Sequence, residues 1–275
     1  SSEPLWIVFE VSGTISLKTP IRFKSDKTID GRGAEIIITG YGFRLSGVSN
    51  IIITNLRFDT AEEPDYDAMT VYADSHDIWI HHCDFTNWSD GTADITEGST
   101  DVTVSWCRFW NHDKTMLIGA DPSHTGDVKI RVTLHHNYFF RTVQRHPRLR
   151  FGKVDAYNNY LYGWRSYGMG VVLRGELLAE SNIFEAEENK KALVTTIGAE
   201  GDGYVKMVNN LLLNGASAEA IKPEKVFNRS TFYMATIEPA DNALKQKIMA
   251  LAGSQISAGP RIMTDAKLSG GDWNY

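Results

Sequence analysis

The sequence lacks any apolar run of about 18 residues, the length needed to cross a membrane as a helix, so we predict no membrane span. It also lacks an excess of positive charge. Its 28 Lys and Arg residues against 34 Asp and Glu residues give a net charge of −6. The protein as a whole should therefore not attract nucleic acid or other polyanions. Any polyanion that it binds must be held locally, by basic side chains or through a metal ion.

Cysteine and helical periodicity are also scarce. The two cysteines, Cys83 and Cys107, are too few for a disulfide scaffold. We expect buried free thiols that pack as small apolar groups, with a disulfide between them as the alternative. Almost no helical pattern occurs before residue 215, which disfavours units that alternate strands with helices.

A short phrase that closes on an apolar residue recurs along the chain. The closing residues are 27, 24, 30, 22, 23 and 28 positions apart. Irregular periods of this size, each with a β-rich run, indicate stacked coils and hence an all-β parallel β-helix. The phrase occurs at Asn55-Leu-Arg-Phe58, His82-Cys-Asp-Phe85, Trp106-Cys-Arg-Phe109, His136-Asn-Tyr-Phe139, Asn158-Asn-Tyr-Leu161, Ser181-Asn-Ile-Phe184 and Asn209-Asn-Leu-Leu212.

We predict one domain over residues 1–275, with coils in 1–215 and a last coil, a helix and an irregular tail in 216–275. Asp241 should cap the helix, which should place Leu244, Ile248 and Leu251 on one face and stop at Gly253. β-branched residues dominate the predicted strands. These are Trp6–Leu17, Ile36–Ile38, Ile51–Thr54, Ile78–Ile80, Val102–Val104, Ile130–Leu134 and Val171–Leu173.

Four asparagines share one phase of the repeat, the phase that the cysteines hold in two earlier coils. Stacked asparagine side chains at a corner can hydrogen-bond one above the next and satisfy turn backbone. We predict a structural role for them. They are Asn137, Asn159, Asn182 and Asn210.

Two aspartates also share a phase. Asp67 and Asp94 each lie nine residues after the closing residue of their coil, so they should stack about 5 Å apart. Carboxylates this close repel each other, and a cation would relieve the repulsion. Asp65, two residues before Asp67, should point to the same side of a strand.

The same count from the closing residues places acidic and basic side chains together in one column. Asp90 and Lys114 each lie five residues after a closing residue, and Arg145 lies six after one. The Asp90-Gly91 pair supplies a turn that could bring Asp90 toward Asp94. Oxygen ligands without His or Cys favour calcium over zinc, while a solvated acidic surface is the simpler alternative.

The stretch from Arg141 to Lys153 carries five positive charges and no acid. Such a strip suits phosphates or carboxylates. The neighbouring acids argue against nucleic acid and fit an acidic polymer partly bridged by a cation. Trp88, Trp110 and Trp164 are candidates for lining a ligand groove beside the column, whereas Trp79 and Trp106 are expected to pack in the core or between coils.

Several ordered motifs resemble those of the polysaccharide lyase family 1 pectate lyases, over roughly residues 5 to 190. Arg145-His-Pro-Arg-Leu-Arg150 matches the signature R-x-P-x-x-R. Ile78-Trp-Ile-His-His82 is similar to V-W-I-D-H, with His81 in place of the usual Asp. Asp90-Gly-Thr-Ala-Asp-Ile95 and His112-Asp-Lys-Thr-Met-Leu-Ile-Gly119 resemble two further segments of the family.

The resemblance implies a right-handed parallel β-helix that cleaves polygalacturonate by calcium-dependent β-elimination. It implies Arg145 as the proton-abstracting base, and Lys114 and Arg150 as contacts to substrate carboxylates. Family members normally have more chain before the first strand, so a missing N-terminal cap is expected. The calcium ligands that the resemblance implies are Asp65, Asp67, Asp90 and Asp94.

Other functions stay open on the sequence alone. A hydrolase would use two acids such as Asp67 and Asp94, but this leaves the basic column unexplained. A calcium-independent pectin lyase and a non-catalytic, pectin-binding β-helix are the remaining alternatives. Because the substrate is extracellular, we expect secretion, and Ser1 at the start of the chain fits a mature or trimmed form. We expect a monomer.

Overall fold

The computed structural model describes residues 1–62, 64–187, 194–196 and 200–255. Three parallel sheets run the length of the molecule, with 9, 9 and 8 strands. Each coil contributes one strand to each sheet in turn. The parallel β-helix predicted from the repeat is thus confirmed.

The strand bounds follow sheet by sheet. The first sheet contains Leu5–Val8, Lys27–Asp30, Ser49–Thr54, His76–His81, Thr100–Ser105, Arg131–His135, Lys153–Tyr157, Glu176–Glu180 and Tyr204–Val208. The second contains Gly13–Leu17, Ile36–Gly40, Arg57–Ala61, Asp84–Thr86, Arg108–Trp110, Tyr138–Phe140, Tyr160–Tyr162, Ile183–Glu185 and Leu211–Leu213. The third contains Ile21–Arg22, Phe43–Ser46, Met69–Tyr72, Asp94–Ile95, Leu117–Ile118, Arg148–Arg150, Met169–Val172 and Thr195–Thr196.

The closing residues of the recurring phrase stack inside the solenoid, in the second sheet. Phe58, Phe85, Phe109 and Phe139 are paired in register from coil to coil. Their rings lie nearly parallel, with centroids 5.1, 5.0 and 4.8 Å apart along the stack. All four are almost fully buried, so this aromatic stack forms the centre of the apolar core.

The first residue of each phrase turns the chain from the first sheet to the second. All seven of these residues have φ between 48° and 58°, in the left-handed region. One left-handed residue per coil makes this corner the same length each time. The phrase residues of the second sheet therefore stay in register although the coils differ in length.

The asparagines form the predicted ladder along this corner. The Oδ1 atom of Asn159 accepts the backbone N–H of Asn137 at 3.0 Å and its side-chain amide at 2.9 Å. Asn159 donates in the same way to Asn182, and Asn182 donates to Asn210. We call Asn137, Asn159, Asn182 and Asn210 the asparagine ladder.

The two cysteines are free, buried and continue this column, as predicted. The backbone N–H of Cys107 donates to Asn137 Oδ1 at 2.9 Å. The backbone N–H of Cys83 donates to the sulfur of Cys107 at 3.4 Å. A cysteine can therefore take the place of an asparagine in the column, although its sulfur is a weaker hydrogen-bond acceptor than the amide oxygen.

The chain after the last coil runs back along the same corner. It contains the short 3₁₀ turns Pro223–Lys225 and Arg229–Thr231, and the helix Asn242–Leu251; a third 3₁₀ turn, Thr125–Lys129, lies between coils. The side chain of Asp241 accepts the Leu244 backbone N–H at 2.9 Å, so the predicted cap is confirmed. Gln255 reaches back to Asn55 through a 2.9 Å hydrogen bond.

Some predictions differ from the structure or fall outside it. The single strand expected over Trp6–Leu17 is two strands, Leu5–Val8 and Gly13–Leu17, because the chain turns from the first sheet to the second between them. The tail expected after residue 255 lies outside the described residues. Within the described residues, no helix has the length and apolar character of a membrane span.

Candidate active site

The candidate residues lie where the chain turns from the second sheet into the third. Asp67, Asp90, Lys114 and Arg145 each precede a third-sheet strand by two to four residues, and Asp94 begins one. The turns of successive coils stack, so these side chains share one edge of the third sheet. We call Asp67, Asp90 and Asp94 the acid cluster.

Asp67 is held by three donors. Its Oδ1 atom accepts the backbone N–H of Gly91 at 2.9 Å, and its Oδ2 atom accepts the Thr70 hydroxyl at 2.8 Å. The Arg44 guanidinium lies 3.3 Å from Oδ2. Neither Arg44 nor Thr70 belongs to a motif that singles it out in the sequence.

The predicted stacking of Asp67 directly on Asp94 is wrong. Asp94 pairs in register with Thr70, while Asp67 lies in the preceding turn, beside Gly91. The path from Phe58 to Thr70 is twelve residues and that from Phe85 to Asp94 is nine. The longer turn shifts the count by three, although Asp67 and Asp94 still lie near enough to interact electrostatically.

Asp94 is the most constrained acid of the cluster. Only 7% of its surface is exposed, and its Oδ1 atom accepts the Leu117 backbone N–H at 3.0 Å. A Cβ atom on Gly91 would lie 2.5 Å from that oxygen, so a larger residue at position 91 would force the Asp94 carboxylate to shift. Burial raises the pKa of Asp94 well above its usual value, and the negative charges of Asp67 and Asp90 raise it further.

Asp90 and Lys114 form an ion pair. Lys114 Nζ donates to Asp90 Oδ1 at 2.8 Å, and this hydrogen bond raises the pKa of Lys114. The turn that carries Asp90 is fixed by His112, whose Nε2–H donates to the Asp90 carbonyl at 2.6 Å. Burial lowers the pKa of His112, which favours the neutral ring in this contact.

Arg145 is placed differently from the other basic residues of this edge. It follows Gln144, which bridges to Lys114, so it lies one position off the predicted column. Its backbone is left-handed, with φ of 65°. Its Nε atom is buried and has no hydrogen-bond partner. Its charge acts on Asp94, where it lowers the pKa against the larger effect of burial.

Arg150 lies further along the same sheet and is already engaged. Its Nε and Nη2 atoms donate to the Glu200 carboxylate at 2.7 and 2.8 Å. Its Nη1 atom donates to the carbonyls of Gly119 and Ala120. Glu200 also accepts Arg148 Nη2 at 2.9 Å. Sequence reasoning missed Glu200, which lies 50 residues from Arg150 and outside the matched motifs.

Asp65 is not brought into the cluster. It is exposed and occupies a turn with φ of 56°, so the strand expected there is absent from this described segment. Within the described residues no hydrogen bond or ion pair joins it to Asp67, Asp90 or Asp94. In that same part of the chain, no three His, Cys, Asp or Glu side chains converge closely enough to hold a metal ion by themselves.

The tryptophan expectations are mostly wrong. Trp88, Trp110 and Trp164 are buried, so they do not line a groove. Trp79, expected in the core or between coils, is 40% exposed on the first sheet and donates from Nε1 to Ser105 of the next coil. His81 also lies on the first sheet, where it bonds to Ser105, and burial lowers its pKa to about 4. The departure from the family motif at His81 is therefore remote from the acid cluster.

Comparison with known sequences gives one family. The family model described as Pectate lyase matches residues 10–257. Pectate lyase 4 of Ambrosia artemisiifolia is 36% identical over 238 residues, and a putative pectate lyase 21 of Arabidopsis thaliana is 36% identical over 236. Each alignment covers 78% of this chain but 60% of the relative, so the chain spans well under the full length of these relatives.

Solved structures give the same result. The crystal structure of jun a 1, the major allergen from cedar pollen, superposes with a TM-score of 0.83 and 30% identity, covering 92% of this chain and 81% of that one. A pectate lyase variant from Xanthomonas campestris has a TM-score of 0.70 and 28% identity, covering 89% of this chain and 80% of that one.

Proposed function

The chain belongs to the pectate lyase family, and we propose that it is a calcium-dependent enzyme that cleaves polygalacturonate, the demethylated form of pectin, by β-elimination. The single observation that carries this proposal is the state of Arg145. Lys114, Arg148 and Arg150 are each ion-paired, whereas Arg145 has a buried Nε atom without a partner. A buried donor left unsatisfied is costly, and a substrate group would relieve that cost.

The acid cluster suits calcium in its chemistry. Its donors are carboxylate oxygens, which hard cations prefer. Asp94 is buried beside two like charges, an arrangement that a cation would stabilise. The described protein ligands do not enclose an ion alone, so substrate carboxylates would complete the coordination. We propose Asp67, Asp90 and Asp94 as ligands, with Asp65 joining them if its turn rearranges.

Bound calcium would withdraw charge from a galacturonate carboxylate and so acidify the neighbouring C5 proton. Lys114, at the same edge, would contact that carboxylate. The family motif gives Arg150 the same role, but its Nε and Nη2 atoms are bonded to Glu200 in this structure. Arg145, as the neutral guanidine, would accept the C5 proton. The electron pair of the C5–H bond would form the C4–C5 double bond as the bond from C4 to the glycosidic oxygen breaks, and that oxygen would take a proton from water. A guanidinium is normally protonated in proteins, so the base role of Arg145 rests on the family motif and on its unpartnered position.

The test is the identity of the product. The protein is incubated with polygalacturonate, and ultraviolet absorbance and reducing ends are followed together. β-Elimination predicts that both rise in proportion, because each cleavage leaves one conjugated double bond. Reducing ends without absorbance would indicate hydrolysis and overturn the mechanism. Binding of the polymer without any product would favour the non-catalytic alternative.

The remaining parts of the proposal follow from the substrate. Because polygalacturonate is extracellular, we propose that the protein acts as a secreted enzyme. A monomer and the absence of nucleic acid binding stay predictions from the sequence. Sedimentation of the purified protein and a nucleic acid shift assay would test them.

A further inference from the structure

Glu200 lies over two arginines of the third sheet. Its carboxylate accepts three hydrogen bonds, two from Arg150 and one from Arg148, at 2.7 to 2.9 Å. The side chain of Glu200 is 30% exposed, against 18% for Arg148 and 11% for Arg150. Glu200 is therefore the outermost of the three and separates the arginines from solvent.

The geometry at Arg150 is that of carboxylate recognition. A guanidinium binds a carboxylate through two parallel N–H groups, and Glu200 takes both Nε and Nη2 in this way. The two bonds from Nη1 to backbone carbonyls leave Arg150 with little donor capacity. The hydrogen bonds to Arg150 lower the pKa of Glu200, so its carboxylate is charged at neutral pH.

A free galacturonate carboxylate that approaches these arginines has two unfavourable choices. It must displace Glu200 and break the charge-assisted bonds, or it must bind beside a like charge. A methyl-esterified unit carries no charge and meets neither cost. Lys114 is paired with Asp90, but no ion pair within the described residues covers Arg145. The edge therefore has an open cationic position at Arg145 and a covered one at Arg148 and Arg150.

On the basis of the proposed function, we propose that Glu200 is a specificity-determining residue. It takes the place of a substrate carboxylate at Arg148 and Arg150, and so lets the neighbouring sugar position accept a methyl-esterified galacturonate. The substrate class is then partly methyl-esterified pectin, with a free carboxylate required only near the acid cluster.

The experiment compares the wild-type protein with Glu200→Gln. Binding of trigalacturonate and of its methyl ester is measured by calorimetry, and initial rates are measured on polygalacturonate and on highly esterified pectin. We expect Glu200→Gln to bind trigalacturonate about tenfold more tightly, the effect of roughly one charge-assisted contact. Binding of the ester should change less than about twofold, within the ordinary effect of a substitution without new contacts.

Glu180→Gln is the matched control. Glu180 is also a partly buried glutamate bonded to an arginine, Arg229, but it lies on the first sheet. It should leave the ratio of the two affinities unchanged. An equal change of the affinity ratio in Glu180→Gln would show that the effect comes from net charge alone, and it would overturn the proposal.

Two further outcomes would also overturn it. One is an unchanged affinity ratio in Glu200→Gln, including no detectable binding of either ligand. The other is a loss of both affinities together with a lower melting temperature, which would make Glu200 a structural clamp. Failure of the proposed function can be told apart from failure of this inference. If the wild-type protein forms no unsaturated product, calorimetry still measures the ratio of its affinities for trigalacturonate and the methyl ester.

Discussion

Buried polar side chains occupy two columns of this solenoid, and the two columns are satisfied differently. In the asparagine ladder, each amide bonds to the next coil and each oxygen accepts from the one before. At the edge of the third sheet, Asp94 is buried beside like charges and Arg145 Nε has no partner. Both columns arise from the same coil repeat.

Under the proposed function, the difference separates polar residues that serve the fold from those that serve chemistry. A ladder residue finds its partner one coil away, so folding completes its hydrogen bonds. After folding, residues at the edge of the third sheet still have a charge or a hydrogen-bonding group without a partner, and a ligand can supply that partner. Substitutions in the asparagine ladder should therefore lower stability, whereas substitutions at the edge of the third sheet should lower activity.

The largest effect is expected for Arg145→Ala. The rate of unsaturated-product formation should fall about 10³-fold, the usual contribution of a positioned acid or base. The melting temperature should change by less than about 2 °C, because the substitution removes no described side-chain hydrogen bond. Product absorbance and calorimetry measure the two quantities.

Arg131→Ala is the control for that variant. Arg131 pairs with Asp101 on the exposed first sheet, away from the edge, so the rate should be kept. Wild-type activity in Arg145→Ala would remove Arg145 from the mechanism.

The next effect is on the ladder. Asn159→Ala leaves the backbone N–H and the amide of Asn137 without their acceptor, at a cost of about 3 kcal/mol. Denaturant unfolding measures the loss. Asn242→Ala, at the exposed start of the helix, should stay within about 0.5 kcal/mol. Equal losses in the two variants would show that the ladder is not special.

Asp94→Asn should act in the opposite direction on stability. Because the folded state raises the pKa of Asp94, its charged form is unfavourable above that pKa and stability is gained as the pH falls through it. Asparagine removes the charge, so without divalent cations the melting temperature at neutral pH should rise by about 2–4 °C. Asp67→Asn, which loses the Arg44 ion pair, should not share this gain. A lower melting temperature in Asp94→Asn would contradict the reasoning.

The smallest effect is expected for Cys107→Ala, in the same column as the ladder. It removes a sulfur acceptor from the Cys83 N–H, a weaker bond than those of Asn159. We expect a loss of about 1 kcal/mol in the same unfolding experiment. A loss as large as that of Asn159→Ala would mean that the thiol contributes as much as the amide.

The sequence predicted one column well and the other only in part, for a physical reason. Between the first and second sheets, a single left-handed residue such as Asn158 makes every corner equal, so counting from the phrase places Asn159 and Asn182 correctly. Between the second and third sheets the turns vary in length, so the count that placed Asp67 beside Asp94 failed by three residues.

Contacts made by residues outside the recurring phrase could not be predicted. Arg44 on Asp67 and Glu200 on Arg150 join segments whose spacing follows no motif. The motif match pointed to Arg145 from local sequence and not from register, and its role as the base stays a prediction. Asp65 was misplaced because a turn, not a strand, carries it.

The most direct test of the central claim is a calcium titration of the reaction. The rate of unsaturated-product formation from polygalacturonate is followed as free calcium is raised from excess chelator to saturation. The account predicts no product in chelator, a saturable rise with calcium, and loss of that rise in Asp94→Asn. A rate independent of calcium, or an Asp94→Asn protein with the wild-type response, would contradict it.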